Sequence, residues 1–131
     1  MKKVVLGLIA LISLLHFYIA WFEIFAWTTR GPQVFKTLPP ELFEQTTAMA
    51  ANQGIYNAFL AIGLGWSLLI KNVQWRRNVA TCFLVFVAIA DIVAMLTIAI
   101  RPGLIQTVPA GLALILLYLS ERSQDTGSKS F

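Results

Sequence analysis

Hydrophobic positions along this chain gather into four long runs, Val4 to Trp27, Ala48 to Ile70, Val79 to Ile100 and Leu104 to Leu119. At 1.5 Å of rise per residue, the first three exceed the roughly 20 residues that cross a bilayer core, and the fourth lies at the lower margin. The runs predict an all-α, integral membrane four-helix bundle that fills residues 1–119, with spans of about 4–27, 48–70, 79–100 and 104–119. Residues 120–131, rich in serine and charge, read as a disordered cytoplasmic tail. The spans use most of the chain, which leaves no room for a separate soluble domain.

The polar segments between the runs set the connections. Thr28 to Pro32 is expected to end the first helix, with Gly31 suited to a C-terminal cap and Pro32 unable to continue a hydrogen-bonded helix. Thr37 to Glu41 looks like a new helix start, with proline in the first turn and an acid that favours the helix dipole. That helix could continue through Leu42 and Phe43 into the second span. Its aromatic residues suit the headgroup interface, or a lid over what lies beneath. Lys71 to Asn78 reads as a short basic turn anchored by Trp75, and Arg101-Pro102-Gly103 as a tight turn. Short connections favour antiparallel neighbours and hence an up-down-up-down order.

Composition sharpens this picture. The 131 residues are 58% hydrophobic and 12% charged, with a mean hydropathy of +0.75, too apolar for an ordinary soluble domain. Lys2 and Lys3 precede the first run as in a signal peptide. That run continues past Trp21 to Trp27, longer than a signal core, and cleavage after Ala20 or Ala26 would lack a small residue three positions back. It reads as a retained span.

Seven Lys/Arg fall on the side of the termini (Lys2, Lys3, Lys71, Arg76, Arg77, Arg122, Lys129) and three on the other (Arg30, Lys36, Arg101). Both termini are therefore expected in the cytoplasm of a multi-pass plasma-membrane protein. Topology accounts for most of the net charge of +4, so no nucleic-acid partner is implied; the lipid bilayer is the primary partner. Cys82 is the sole cysteine, which excludes an intrachain disulfide or two-thiol redox centre, and it reads as a small packing residue.

Ionisable groups inside the runs are rare: Glu23, Asp91 and the single histidine, His16. An ionisable group at the centre of a membrane helix costs roughly 2.5–3.5 kcal/mol on insertion scales, so each needs a partner or a purpose. Ser13, His16, Ala20, Glu23 and Trp27 recur at steps of three and four and share one helix face. The second span opens with Asn52, Gln53, Gly54, Tyr56 and Asn57, three amides and a phenol within two turns.

Counting from the span ends at 1.5 Å per residue, Asn52 and Gln53 fall near the depth of Glu23. Asn57 and Asp91 fall about 13 Å below the outer end, and His16 about 16 Å below it. Gln106 and Thr107 stand at the outer end of the fourth span. Polar groups thus cluster in the outer half of the bundle, and the inner half is nearly all aliphatic or aromatic.

This asymmetry predicts a polar pocket closed below and open outward or sideways. Glu23, Asp91 and His16 are its candidate catalytic residues, able to hold or pass a proton. Asn52, Gln53, Tyr56, Asn57 and Trp27 are its candidate ligand-binding residues. The alternative is that the same groups only hydrogen-bond helix to helix. One histidine and two carboxylates fit no common metal triad, so no metal is expected, and any cofactor stays unidentified.

The stretch Glu23-Ile24-Phe25-Ala26-Trp27, then Val34-Phe35, then Ala50 to Ala61 with its Asn-Gln-Gly-x-Tyr-Asn core, resembles the bacterial and fungal membrane-protein family catalogued as domain of unknown function 1304. The resemblance covers nearly the whole chain. It implies a small protein of four transmembrane helices and leaves the activity open.

Three functions compete on the residues. The first is a binder or enzyme for a small lipophilic ligand acting by proton transfer. The second is a small proton-coupled transporter, expected as a homo-oligomer, for which the inner half offers no charged path. The third is an accessory subunit that docks another membrane protein through the small residues Gly63 and Ser67.

Overall fold

The computed structural model describes residues 2–97 and 108–119. Among these the chain is all-α, with no strand. Its helices are α1 (Lys2–Phe25), α2 (Trp27–Val34), α3 (Pro40–Gln45), α4 (Thr47–Leu69), α5 (Val73–Thr97) and α6 (Val108–Leu119). The expected Arg101-Pro102-Gly103 turn, Gln106, Thr107, the start of the fourth run and the tail at 120–131 lie outside the described residues.

Two helices, within Lys3–Phe25 and Val73–Thr97, are long and apolar enough to cross a membrane. The 23-residue α4 is as long, but Asn52, Gln53 and Asn57 dilute its hydropathy. The described part of α6 is shorter.

The four longer helices converge on one aliphatic core. Val5, Ile9 and Ile12 of α1, Leu64 of α4, Ala80, Leu84 and Val87 of α5, and Ala110, Ala113 and Leu117 of α6 are all buried in a single cluster. Each set follows steps of three and four, the spacing that keeps one helix face turned inward. The outer faces are not polar. Leu11, Leu14, Phe59, Ile62, Trp66, Phe86 and Ile89 are all exposed, so α1, α4 and α5 are apolar on the side away from the core as well.

Antiparallel packing of α1 on α4 is fixed by close approach. A Cβ on Gly54 would lie 2.6 Å from Ile24 Cγ1, 3.0 Å from the Ala20 carbonyl oxygen and 3.2 Å from Glu23 Cβ. Only glycine lets the backbones meet there. One further contact, Ser13 Oγ donating to the Ala61 carbonyl at 2.8 Å, pins the same pair two turns along.

Several local expectations are corrected. Gly31 and Pro32 do not end a helix: α1 stops at Phe25, Ala26 leaves helical geometry at φ −123° and ψ 7°, and both residues lie inside α2. Gly31 is instead the floor for the Phe43 ring, which occupies the space a side chain would need. Pro32 is the sixth of eight residues in α2, so it forfeits a single i→i−4 bond shortly before the helix ends two residues later.

The basic segment 71–78 is largely helix rather than turn. Asn72 Oδ1 accepts the Trp75 backbone N–H at 3.0 Å, an N-cap that starts α5 at Val73. Arg76 closes the other side of this corner, donating through Nε to the Ile70 carbonyl at 2.9 Å, where the last carbonyls of α4 would otherwise lack partners.

Cys82 is exposed rather than packed, because the inward stripe of α5 runs through Ala80, Leu84 and Val87. Gly63 and Ser67 form no free docking face. The Phe83 ring of α5 fills the space over Gly63, and Ser67 is buried with its hydroxyl donating to the Leu64 carbonyl at 2.6 Å.

The start at Thr37–Glu41 is as expected, with α3 opening on Pro40 and carrying Glu41 in its first turn. It passes into α4 through a single non-helical residue, Thr46.

Candidate functional site

Buried polar groups begin where the aliphatic core ends. On α1 the inward stripe continues from Ile12 to Ser13, His16 and Ala20, all buried, and then to the half-buried Glu23. On α4 it is Ala50, Gly54, Asn57, Ala61 and Leu64 that face inward, again at steps of three and four. Asn57 therefore meets α1, and its Nδ2 donates to Glu23 Oε2 at 2.8 Å and to the Gln53 carbonyl at 3.3 Å. This carboxyl–amide bond ties α1 to α4 through Asn57, not through Asn52 or Gln53, which the sequence count places level with Glu23.

Asn52, Gln53 and Tyr56, by contrast, lie on the exposed side of α4, Tyr56 at 59% exposure. Asn52 and Tyr56 stand about 160° around the wheel from Gly54 and Gln53 about 100°, so none of the three shares the Gly54 contact with α1.

His16 is buried at 1% exposure, and its Nδ1 donates to the Ile12 carbonyl at 2.9 Å. That bond leaves Nε2 as the ring's acceptor. Asp91 continues the inward stripe of α5 one turn beyond Val87 and is 3% exposed. Its Oδ2 is buried without a hydrogen-bond partner among the described residues.

The helix contacts give Asp91 its level. Phe83 lies against Gly63, and Asp91 is eight residues further along α5, a rise of about 12 Å. Eight residues back along the antiparallel α4 from Gly63 is Ile55, between Gly54 and Asn57. Asp91 thus shares the layer of the Glu23–Asn57 bond, while His16 lies about 10 Å nearer the aliphatic core.

Trp27 belongs to a different structure just above this layer. Its ring packs against Phe22 at 6.0 Å between centroids, Phe35 at 5.8 Å and Phe43 at 5.1 Å. Its Nε1 donates to Thr46 Oγ1 at 3.0 Å, and the same hydroxyl donates to the Leu42 carbonyl at 2.7 Å. The four aromatics draw α2 and α3 over the junction of α1 and α4 as a cap. Sequence reasoning missed Gly54 and Thr46. Gly54 was detectable from its phase with Ala50, Asn57 and Ala61, whereas nothing local marks Thr46 as the acceptor for an indole 19 residues away.

Thr46→Val should remove the indole's acceptor while preserving shape. The expected cost is about 1 kcal/mol in unfolding free energy, with a shift in Trp27 emission read in a variant that keeps Trp27 as its only tryptophan. Unchanged stability and emission would show that the cap is held by ring packing alone.

Among the described residues no group of three His, Cys, Asp or Glu is close enough together to hold a metal ion. Residues 10–118 match the family model described as a protein of unknown function, DUF1304. The chain belongs to this family. For the DUF1304 chain, no curated protein and no solved structure gives a match. Membership agrees with the resemblance carried by Glu23 to Trp27 and Asn52 to Asn57, and brings no activity with it.

Proposed function

We propose that this DUF1304 protein is a four-span, multi-pass protein of the plasma membrane with both termini cytoplasmic, and that it binds or converts a small lipophilic ligand in its outer half. Support for the membrane comes from the two long apolar helices and from the large apolar side chains exposed around α1, α4 and α5, a surface that water would not tolerate at this extent. Support for the orientation comes from the seven-to-three distribution of Lys and Arg.

The observation that carries the ligand site is the layer formed by Glu23, Asn57 and Asp91: a half-buried carboxyl held by an amide, level with a buried carboxyl oxygen that has no partner among the described residues. A group that costs stability in this setting is retained for a use. The aromatic cap closes one end and the aliphatic core the other, so access to Glu23 runs sideways from the bilayer or past α2 and α3. Proton transfer at a bound ligand would fall to Glu23 or Asp91, with His16 Nε2 as the nearest nitrogen acceptor on the same face of α1.

The test is thermal stabilisation of the purified protein in lipid nanodiscs by a panel of lipids, quinones and cationic amphiphiles, wild type against Glu23→Gln. Stabilisation by one class, lost in the variant while the helical spectrum is kept, supports the site. If every compound acts equally on both proteins, the ligand site is wrong.

A second function, association with another copy of the chain, is favoured by the exposed amides Asn52 and Gln53 beside Tyr56 on α4. Amides facing hydrocarbon gain by bonding across an interface, since each carries both donors and an acceptor. Replacing both with leucine should convert a dimer in nanodiscs to monomer, as counted by single-molecule photobleaching. A wild type that is already monomeric would exclude it.

A further inference from the structure

We infer that the ligand taken by this layer is a lipophilic amine, bound through its N–H groups by Glu23, Asn57 and Asp91, an inference that rests on the ligand site proposed above and names its substrate class. The reasoning is a count of donors and acceptors. Both hydrogens of the Asn57 amide are spent, one on Glu23 Oε2 and one on the Gln53 carbonyl.

The Ser13 hydroxyl is spent on the Ala61 carbonyl, the His16 Nδ1 hydrogen on the Ile12 carbonyl, and the Trp27 indole hydrogen on Thr46. The side-chain donors of Ser13, His16, Trp27 and Asn57 are thus committed within the protein. With the carboxyl groups ionised, the atoms that these residues and Asp91 leave over are acceptors. They are Glu23 Oε1, Asn57 Oδ1 and His16 Nε2, for which the described residues supply no hydrogen bond, and Asp91 Oδ2, which is buried without one.

No Lys or Arg stands within α1 between Lys3 and Phe25, within α4, or within α5 beyond Arg77, so these helices bring no cation to this depth. An acceptor-only site with carboxylates and no internal cation complements a group that only donates. An ammonium carries up to three N–H donors and no acceptor, and its charge is the counter-ion the carboxyl groups lack. Ligands that offer acceptors alone, such as quinones and esters, would leave these oxygens unsatisfied and bring further lone pairs against them.

The apolar part of the ligand follows from the surroundings. Ala20, Ile24 and Gly54 line the contact between α1 and α4 beside Glu23, and the rings of Phe22 and Trp27 lie above it.

Four ten-carbon probes test this on the full-length protein in phosphatidylcholine nanodiscs: decylamine, decyltrimethylammonium, 1-decanol and decanoate. Binding is followed by titration calorimetry in sodium buffer, and repeated in choline buffer to remove the inorganic cation. Decylamine is expected to bind saturably, and about tenfold more tightly than decyltrimethylammonium, which has the charge and no N–H donor. Glu23→Gln and Asp91→Asn should each weaken decylamine about tenfold or more, with helical content unchanged; should either fail to fold, the other carries the comparison.

Equal binding of both cations, or binding that neither variant alters, overturns the amine as ligand and indicates partition into the bilayer. Saturable decanol or decanoate binding that is lost in Glu23→Gln, without decylamine binding, overturns the amine while leaving the ligand site standing. Binding of sodium alone, displaced by none of the four, overturns both.

Discussion

Gly54→Val should be the most damaging single substitution in the bundle, with an expected loss of about 3 kcal/mol. The first atom of any side chain at this position would meet Ile24 Cγ1 at 2.6 Å and the Ala20 carbonyl oxygen at 3.0 Å. Ile24 can rotate away. The carbonyl belongs to the backbone of α1 and cannot move without the helix. Replacement of glycine inside a helix ordinarily gains up to about 1 kcal/mol in propensity, and alanine would recover most of that, so Gly54→Ala should lose less than Gly54→Val.

The larger variant must push α1 and α4 apart, and separation breaks the Asn57–Glu23 bond that lies one turn away. Reversible unfolding in mixed micelles, followed by circular dichroism, measures the loss directly. A Gly54→Val protein as stable as wild type would mean that α1 and α4 are not held at this distance, and the layer built on them would lose its basis.

What could be read from the sequence divides along a physical line. Helix existence was legible because runs of more than twenty apolar residues have few alternatives. Depth counted from a constant rise per residue set Glu23 level with Asn52 and Gln53, whereas it is Asn57, one turn further along α4, that bonds it. Azimuth was harder to see in α4, where polar residues stand on more than one side and give no single polar face to orient it. Asn52, Gln53 and Tyr56 were assigned to the interior with Asn57 because they are polar, yet packing is decided by size, and the small stripe Ala50, Gly54, Asn57 and Ala61 takes the inward position.

On α1 the polar and small positions coincide in phase, and there Ser13, His16 and Ala20 were placed correctly. Gly31 and Pro32 misled for a related reason. Their local preference is to end a helix, but the Phe43 ring needs a floor without a side chain, a tertiary demand that no local pattern announces.

Asp91→Leu should make the protein more stable and abolish ligand binding. Leucine has the same branching as aspartate, two terminal atoms on Cγ, so it fits the space with little rearrangement. In the wild type, Oδ2 is buried with no hydrogen-bond partner among the described residues. A buried polar atom without a partner costs roughly 1–3 kcal/mol, and its replacement by a methyl should return an amount of that order.

Glu23 should behave differently. Its Oε2 is satisfied by Asn57, and Glu23→Leu would strand the Asn57 amide, so stability should fall. Opposite signs at the two carboxyls are the diagnostic result, measured by the same unfolding transition for each variant. A stability gain at Asp91 joined to a loss of binding would mark a residue kept at the expense of the fold. If Asp91→Leu instead destabilises the bundle by as much as Glu23→Leu, Asp91 is a structural hydrogen-bonding group, and the layer contains one functional carboxyl rather than two.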